Sequence, residues 1–271
     1  MFKLFNGTFQ SIESNGGEAQ LKTTLKSFLP NYIESIKLDR SDLFTTLEGV
    51  HFLPVDKNIY LRIQCFINLT ENTFPTIQYS AFVYRDHLVW SGLEQDDMRT
   101  LYKYIVQFLT PNLSETNTTI STFIPISKVQ KGFITGNSDK EVPFVYIGKD
   151  EKLQLIICKL NEIICIFLLN PNSDNSTNNN NNNSMNNSNN TANSDTNFSK
   201  NLSSFIIQQL EYLSPILEDH YTKKHSFEEQ YKYVYYNHMN FALKTSIKDK
   251  GVGLPRDTMK MLNDIHQDFE K

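Results

Sequence analysis

The chain has 271 residues, of which 39% are apolar and 21% charged, with a net charge of −4 and an isoelectric point near 5.9, a size that admits one large domain or two small ones. An acidic balance without a Lys/Arg block excludes a dedicated nucleic-acid binder, and three cysteines (Cys65, Cys158, Cys165) without a C-x-x-C pair exclude a disulfide scaffold or a zinc finger. The first residues hold no basic stretch leading into an apolar one, and the longest apolar run, Ile163 to Leu169, falls far short of the ~20 residues of a spanning helix, so the expectation is a soluble, cytoplasmic chain.

In chain order, Met1 to Phe9 reads as a short apolar segment, followed by a polar loop containing glycine. A helix is expected from about Glu18 to Ile36. Leu21, Leu25, Phe28, Leu29, Tyr32 and Ile36 share one face of it, and Pro30 should kink it. With only Lys22, Lys26 and Lys37 against Glu18 and Glu34, this helix is expected to dock on a core rather than a membrane.

Gly49 to Ile67 fits two patterns. Ile59, Leu61, Ile63 and Cys65 alternate as in a strand, while Ile59, Ile63, Phe66 and Ile67 form a helical stripe that Asp56 would cap. The helix is the preferred reading. Ile77 to Tyr84 and His87 to Trp90 are β-prone runs around Arg85 and Asp86, a hairpin signal.

Ser91, three residues before Glu94, fits a capping box, with Asp96 and Asp97 at the positive end of the helix that follows. Met98, Leu101, Tyr102, Ile105, Phe108 and Leu109 form its buried face, ending before Pro111. A polar loop leads to three strands: Val142 to Ile147, Leu153 to Leu160 and Ile163 to Leu169, the last apolar on both faces and so expected to be covered on both sides.

From Asn172 to Asn201, fifteen of thirty positions are asparagine. Such a tract cannot bury enough apolar surface to offset its ordering entropy and is expected to be a disordered insert. A helix bent at Pro215 should follow, from about Lys200 to Lys224, with Leu202, Phe205, Ile206, Leu210, Leu213, Ile216, Leu217 and Tyr221 on its stripe. The order β-β-α-β-β-β-α gives an α/β (α+β) longin or profilin-like plan, a five-stranded antiparallel sheet sandwiched by helices. A partial second unit then begins. It holds a strand pair or a long bent strand within Tyr231 to Ile247 and a helix from Pro255 to Phe269, with Met259, Leu262, Ile265, His266 and Phe269 on one face.

Several strings resemble the Ccz family of vacuolar fusion proteins: FKLFNGTF (2–9), YSAFVYRDHLVWSGLEQDDMRTLYKY (79–104), YKYVYYNHMNFALK (231–244) and MLNDIHQDF (261–269), in the family's order. WSGLEQDDM is the most specific of them. The resemblance implies a subunit of the Mon–Ccz heterodimer, a guanine-nucleotide exchange factor for a late-endosomal Rab GTPase that acts in late endosome and vacuole fusion and in autophagy. It also implies three longin domains. Residues 1–48 would then be the remnant of a first domain with a linker helix. Residues 49–224 would be the central domain carrying insert 172–201, and 225–271 the start of an incomplete further domain. Nearly all of the first domain, which in the family pairs with the Mon subunit and contacts the Rab, lies outside these residues. The implied role is therefore a non-catalytic scaffold making heterodimer contacts, cytoplasmic and recruited peripherally to late endosome, lysosome or vacuole membranes. The alternative is a longin adaptor in vesicle trafficking without exchange activity.

No residue set is expected to be catalytic, to bind a cofactor or to hold a metal. Glu94, Gln95, Asp96 and Asp97 suit acid–base or metal chemistry in composition, yet capping accounts for the same residues at this offset, and catalysis lacks a partner group. No phosphate-cradling or serine-nucleophile motif is present. His238 reads as a half-buried strand histidine, and Cys158 and Cys165 as core thiols; a hydrolase built on Cys158 or His238 would require a deep pocket beside a carboxylate. Tyr231, Tyr233 and Tyr235 share one strand face and Tyr236 the other, so an incomplete third domain would leave a sticky sheet edge. The candidate partner interface comprises Trp90, Glu94, Asp96, Asp97, Tyr236 and His238, with Trp90 included because tryptophan is enriched at binding hot spots.

Overall fold

All seven residues of Ile163–Leu169 are buried, which requires apolar layers on both sides of that strand. The computed structural model describes residues 1–35, 47–106, 122–123, 144–170, 191–225, 233–246 and 255–269. Their elements in order are α1 (Phe2–Asn6), α2 (Phe9–Ser35), β1 (Val50–His51), α3 (Lys57–Thr73), β2 (Ile77–Tyr84), β3 (His87–Ser91), α4 (Gln95–Tyr104), β4 (Thr122–Phe123), β5 (Phe144–Ile147), β6 (Glu151–Leu160), β7 (Ile163–Leu169), α5 (Thr191–His225), β8 (Val234–Asn237), β9 (Ala242–Thr245) and α6 (Arg256–Phe269).

The larger sheet is antiparallel and runs β3-β2-β7-β6. Its fifth position is shared: β5 pairs with the first residues of β6, and β4 with Cys158 and Lys159 near its other end. This is the five-position longin plan. Side chains alternate across the pleat into two cores. Ala81, Val83, Ile164, Ile166, Leu168, Leu155 and Ile157 meet α1 and α4 through Leu4, Phe5, Leu101 and Tyr102. Phe82, Tyr84, Cys165, Phe167, Ile156 and Cys158 meet α3 and α5 through Ile63, Ile67, Leu210 and Leu217. The β2–β3 and β6–β7 turns lie side by side, because Tyr84 pairs with Ile163. Arg85 N–H donates to the Glu162 carbonyl at 2.6 Å, and Arg85 and Asn161 take the left-handed conformation that two-residue hairpin loops demand, with φ of 56° and 52°.

The smaller sheet runs β1-β9-β8, with β1 parallel to β9. Its core holds Leu47, Leu243 and Met259, with α6 against it.

The residue-level differences have local causes. The segment read as a glycine loop is helical from Phe9, and the break falls at Gly17, whose φ is 69°. Of the helix expected to dock on a core, Phe28 is buried while Leu29 and Ile33 are exposed. The strand reading of Ile59 to Cys65 fails because Leu61 and Cys65 are exposed while Ile59, Ile63, Phe66 and Ile67 are buried, the helical stripe. Asp56 occupies the cap position of α3 without a side-chain cap bond. Helix α5 begins at Thr191, so the last eleven residues assigned to the disordered insert are helical, while the Asn-rich residues 171–190 lie outside the described residues. Phe108 and Leu109, expected on α4, lie outside them too.

The register of α3 has a direct check in chemical denaturation. Ile63→Ala, at a fully buried position, should destabilise by about 2–5 kcal/mol. Leu61→Ala, two residues away but on the outer face, should stay within about 0.5 kcal/mol. A strand in this segment would give the two substitutions similar costs.

Candidate functional site

The acidic start of α4 divides into an outward and an inward part. Glu94 occupies the cap position and is exposed. Asp96 is exposed and pairs within its own helix with Arg99 at 3.5 Å. Asp97 turns in: one carboxylate oxygen meets Lys3 Nζ at 3.3 Å, and the other accepts from the Gly148 N–H at 2.7 Å. It therefore ties α1 and the β5–β6 turn to the helix start, where negative charge also suits the macrodipole. The capping box is not formed. Ser91 is the last residue of β3 and its hydroxyl accepts from Leu93 N–H at 3.1 Å, while α4 starts only at Gln95. Gly92 breaks the expected offset by donating back to the Ser80 carbonyl at 3.0 Å.

Trp90 lies across from Phe82 on the edge strand β3, half-buried against the α3–α5 core and so on the other face of the sheet from α4. Tyr236 and His238 belong to the smaller sheet. Tyr236 lies on β8 and His238 in the turn after it, exposed rather than half-buried within a strand. The turn is built by asparagines, with Asn237 Oδ1 accepting from Met239 N–H at 2.9 Å and Asn240 Oδ1 from Ala242 N–H at 3.1 Å. His238 stacks on His266 of α6 at 5.3 Å and contacts the rings of Tyr236 and Phe269 at 4.7 Å and 5.5 Å.

Sequence reasoning marked Tyr235 as an edge residue and placed Ile265 and Phe269 on one helix face, but singled out neither Met239 nor Met261. Met239 and Phe269 are 84% and 72% exposed, and Tyr235, Met261 and Ile265 are exposed nearby in sequence on the same elements. The signal was present in the α6 stripe, which carries more apolar positions than a sheet this small can cover. The candidate residues thus lie on the start of α4, on the edge strand β3, and on β8 with its following turn.

A polar cluster collects where the turn of β2–β3 meets α5. Glu218 accepts from Tyr84 Oη and pairs with Arg85 at 3.2 Å. The Arg85 guanidinium lies 4.3 Å over the Tyr221 ring, and His87 Nδ1 sits 2.7 Å from Asp86. Burial works against the Asp86 carboxylate, but the hydrogen bond from His87 and the charges of His87 and His51 outweigh it and bring its pKa to about 2. Tyr102 donates to the Asp86 carbonyl from below, and burial raises its own pKa. Cys158 and Cys165 oppose each other inside the sheet, and burial pushes Cys158 up to about 12 and Cys165 well above its usual range. His238 stands in an open turn. Neither thiol nor imidazole has the setting a hydrolase requires.

Comparison with known proteins then decides the family. Residues 77–206 match the family model described as Intu longin-like domain 2, and residues 227–271 that described as Intu longin-like domain 3. Over 99% of its length the chain is 34% identical to a protein of Dictyostelium discoideum named vacuolar fusion protein CCZ1 homolog. It is 35% identical over 99% to that of Nematostella vectensis, and 32% identical over 100% to that of Danio rerio. The chain belongs to the Ccz family of vacuolar fusion proteins. It spans 58% of the length of each of these three relatives.

Strings that mark the Ccz resemblance have structural work to do here. In residues 2–9, Leu4 and Phe5 enter the core, and Gly7 turns at φ 84° where a side chain would meet the Tyr146 ring at 3.4 Å. Thr8 donates both its N–H, at 2.8 Å, and its hydroxyl to Asp150 while that hydroxyl caps α2 at Ser11. In residues 90–98, a side chain on Gly92 would meet the Trp90 ring at 3.1 Å. Among the described residues no helix is long and apolar enough to cross a membrane.

Two outcomes follow from this chemistry. Asp97→Ala should lower stability by about 1–2 kcal/mol through loss of charge-assisted hydrogen bonds, whereas Asp96→Ala should change it by less than about 0.5 kcal/mol, both read from urea midpoints. Because the Asp86 pKa is depressed in the folded state, its contribution is complete above the unfolded carboxylate pKa of about 3.9 and is lost as pH falls towards 2. The stability gap between the native chain and Asp86→Asn should therefore shrink between about pH 4 and pH 2.

Proposed function

We propose that this chain is a non-catalytic scaffold subunit of a Mon–Ccz-type complex, which promotes nucleotide release from a late-endosomal Rab GTPase during late endosome and vacuole fusion and autophagy. The observation that carries the reading is similarity to CCZ1 homologues along the entire chain, together with the absence of a reactive setting around Cys158, Cys165 and His238. An exchange factor works by stabilising an open GTPase conformation, a population shift that draws on surface complementarity and needs no proton-transfer group. Exposed Glu94 and Asp96 and the Tyr236–His238 turn with Met239 and Phe269 are the surfaces offered to a Mon-type longin subunit, with the Rab engaged through the complex. Attachment to late endosome, lysosome or vacuole membranes is then peripheral.

Co-purification with the Mon-type subunit is the direct test. Stable association is expected, and it should weaken at least tenfold in a Met239→Ser/Phe269→Ser variant, measured by titration calorimetry. Failure to associate overturns the reading. Association without faster nucleotide release from the Rab leaves the chain an adaptor longin rather than part of an exchange factor.

A further inference from the structure

Seven residues, Leu47 to Leu53, reach each of the three apolar cores formed among the described residues. Leu47 is one of the three buried residues of the small core, beside Leu243 and Met259. Val50 enters the core beneath α4, and Leu53 the core beneath α3 and α5. The backbone changes sheets over the same distance. Val50 and His51 pair with Ala242 and Leu243, and Val50 N–H donates to the Phe241 carbonyl at 2.7 Å. Phe52 then bridges to Leu88 of β3, and Leu53 N–H donates to the Leu88 carbonyl at 2.9 Å.

The approach is close enough to restrict sequence. A Cβ on Gly49 would fall 2.5 Å from the Leu243 Cβ, a separation that packed atoms do not tolerate. Helix α4 holds the segment from the other side. Lys103 pairs with Glu48 at 2.6 Å, the Arg99 guanidinium lies 4.1 Å over the Phe241 ring, and the Tyr102 hydroxyl accepts from His51 N–H at 3.2 Å.

We propose that Leu47–Leu53 is a latch on which the order of the smaller unit depends: seated, it completes the core under β8, β9 and α6; unseated, those elements open while the larger sheet stays folded. Among the described residues, a two-stranded hairpin with one helix, a core of three buried apolar side chains and the partly buried Val234, Tyr236 and Leu262 offer little apolar burial for independent stability, and the latch supplies one of the three buried side chains. The larger sheet has two extensive cores of its own and loses only Val50 and Leu53. The surface around His238, Met239 and Phe269 would therefore form or dissolve as a unit, a local opening set by a segment distant from it in sequence. This inference concerns the folding of the 271-residue chain and does not depend on the proposed complex.

Amide hydrogen exchange on the full chain tests it with three variants. In Gly49→Ala and in Leu47→Ala, exchange across 234–245 and 256–269 should accelerate by about tenfold or more, while β2, β6 and β7 keep their native protection. Arg99→Ala, which removes the contact over Phe241 together with the exposed pair to Asp96, should give a smaller acceleration confined to the hairpin and guards against a Gly49 variant that does not fold. Unchanged protection of β8, β9 and α6 in Leu47→Ala overturns the proposal. Equal loss of protection in β2, β6 and β7 also overturns it, because the two units would then open together.

Discussion

The two-sided burial of β7 governs the rest of the architecture. Its seven residues send side chains alternately to opposite faces, and none reaches solvent. Each face must therefore be closed by helices, and each flank by a strand that satisfies the backbone. β2 and β6 supply the flanks, α1 and α4 close one face, and α3 and α5 the other. The small N-terminal helix is drawn into the same scheme. Leu4 and Phe5 complete a core that α4 alone does not cover, and Thr8–Asp150 and Lys3–Asp97 fasten the cover at its edges.

Electrostatics in this molecule serves mainly to seat elements. The acidic residues at the start of α4 illustrate the division. Asp97 is spent on internal attachment, while Asp96 and Glu94 remain on the surface. The cluster around Asp86 and Glu218 likewise binds the C-terminal turns of α5 to the β2–β3 loop. Charges bound up in this way hold elements against one another.

Much of the fold was legible because its strongest elements carry their own periodicity. The unbroken run of β7, the α3 stripe of Ile59, Ile63, Phe66 and Ile67, and the α6 residues Met259 and His266 are each set by local pattern and burial. What escaped depends on partners far away in sequence. β1 is two residues long and exists only because β9 is there to pair with it. Thr122 and Phe123 are a strand only because β6 leaves part of its edge open. Ser91 satisfies a capping pattern that Gly92 overrides, since its N–H is taken by Ser80 across the hairpin. His238 stands in a turn rather than a strand because two asparagines reverse the chain around it. Among the candidate interface residues, type and exposure were legible for Glu94 and Asp96, but the inward turn of Asp97 is a tertiary fact.

The three cysteines have a practical consequence. Cys158 and Cys165 face each other within the sheet and are kept as unreactive thiols by burial, while Cys65 stands exposed on α3. α3 covers the face of the sheet opposite α4. The native chain thus carries a single addressable thiol on the side away from Asp96. A fluorophore or spin label attached there would report on the molecule as a whole without engineering out any native residue.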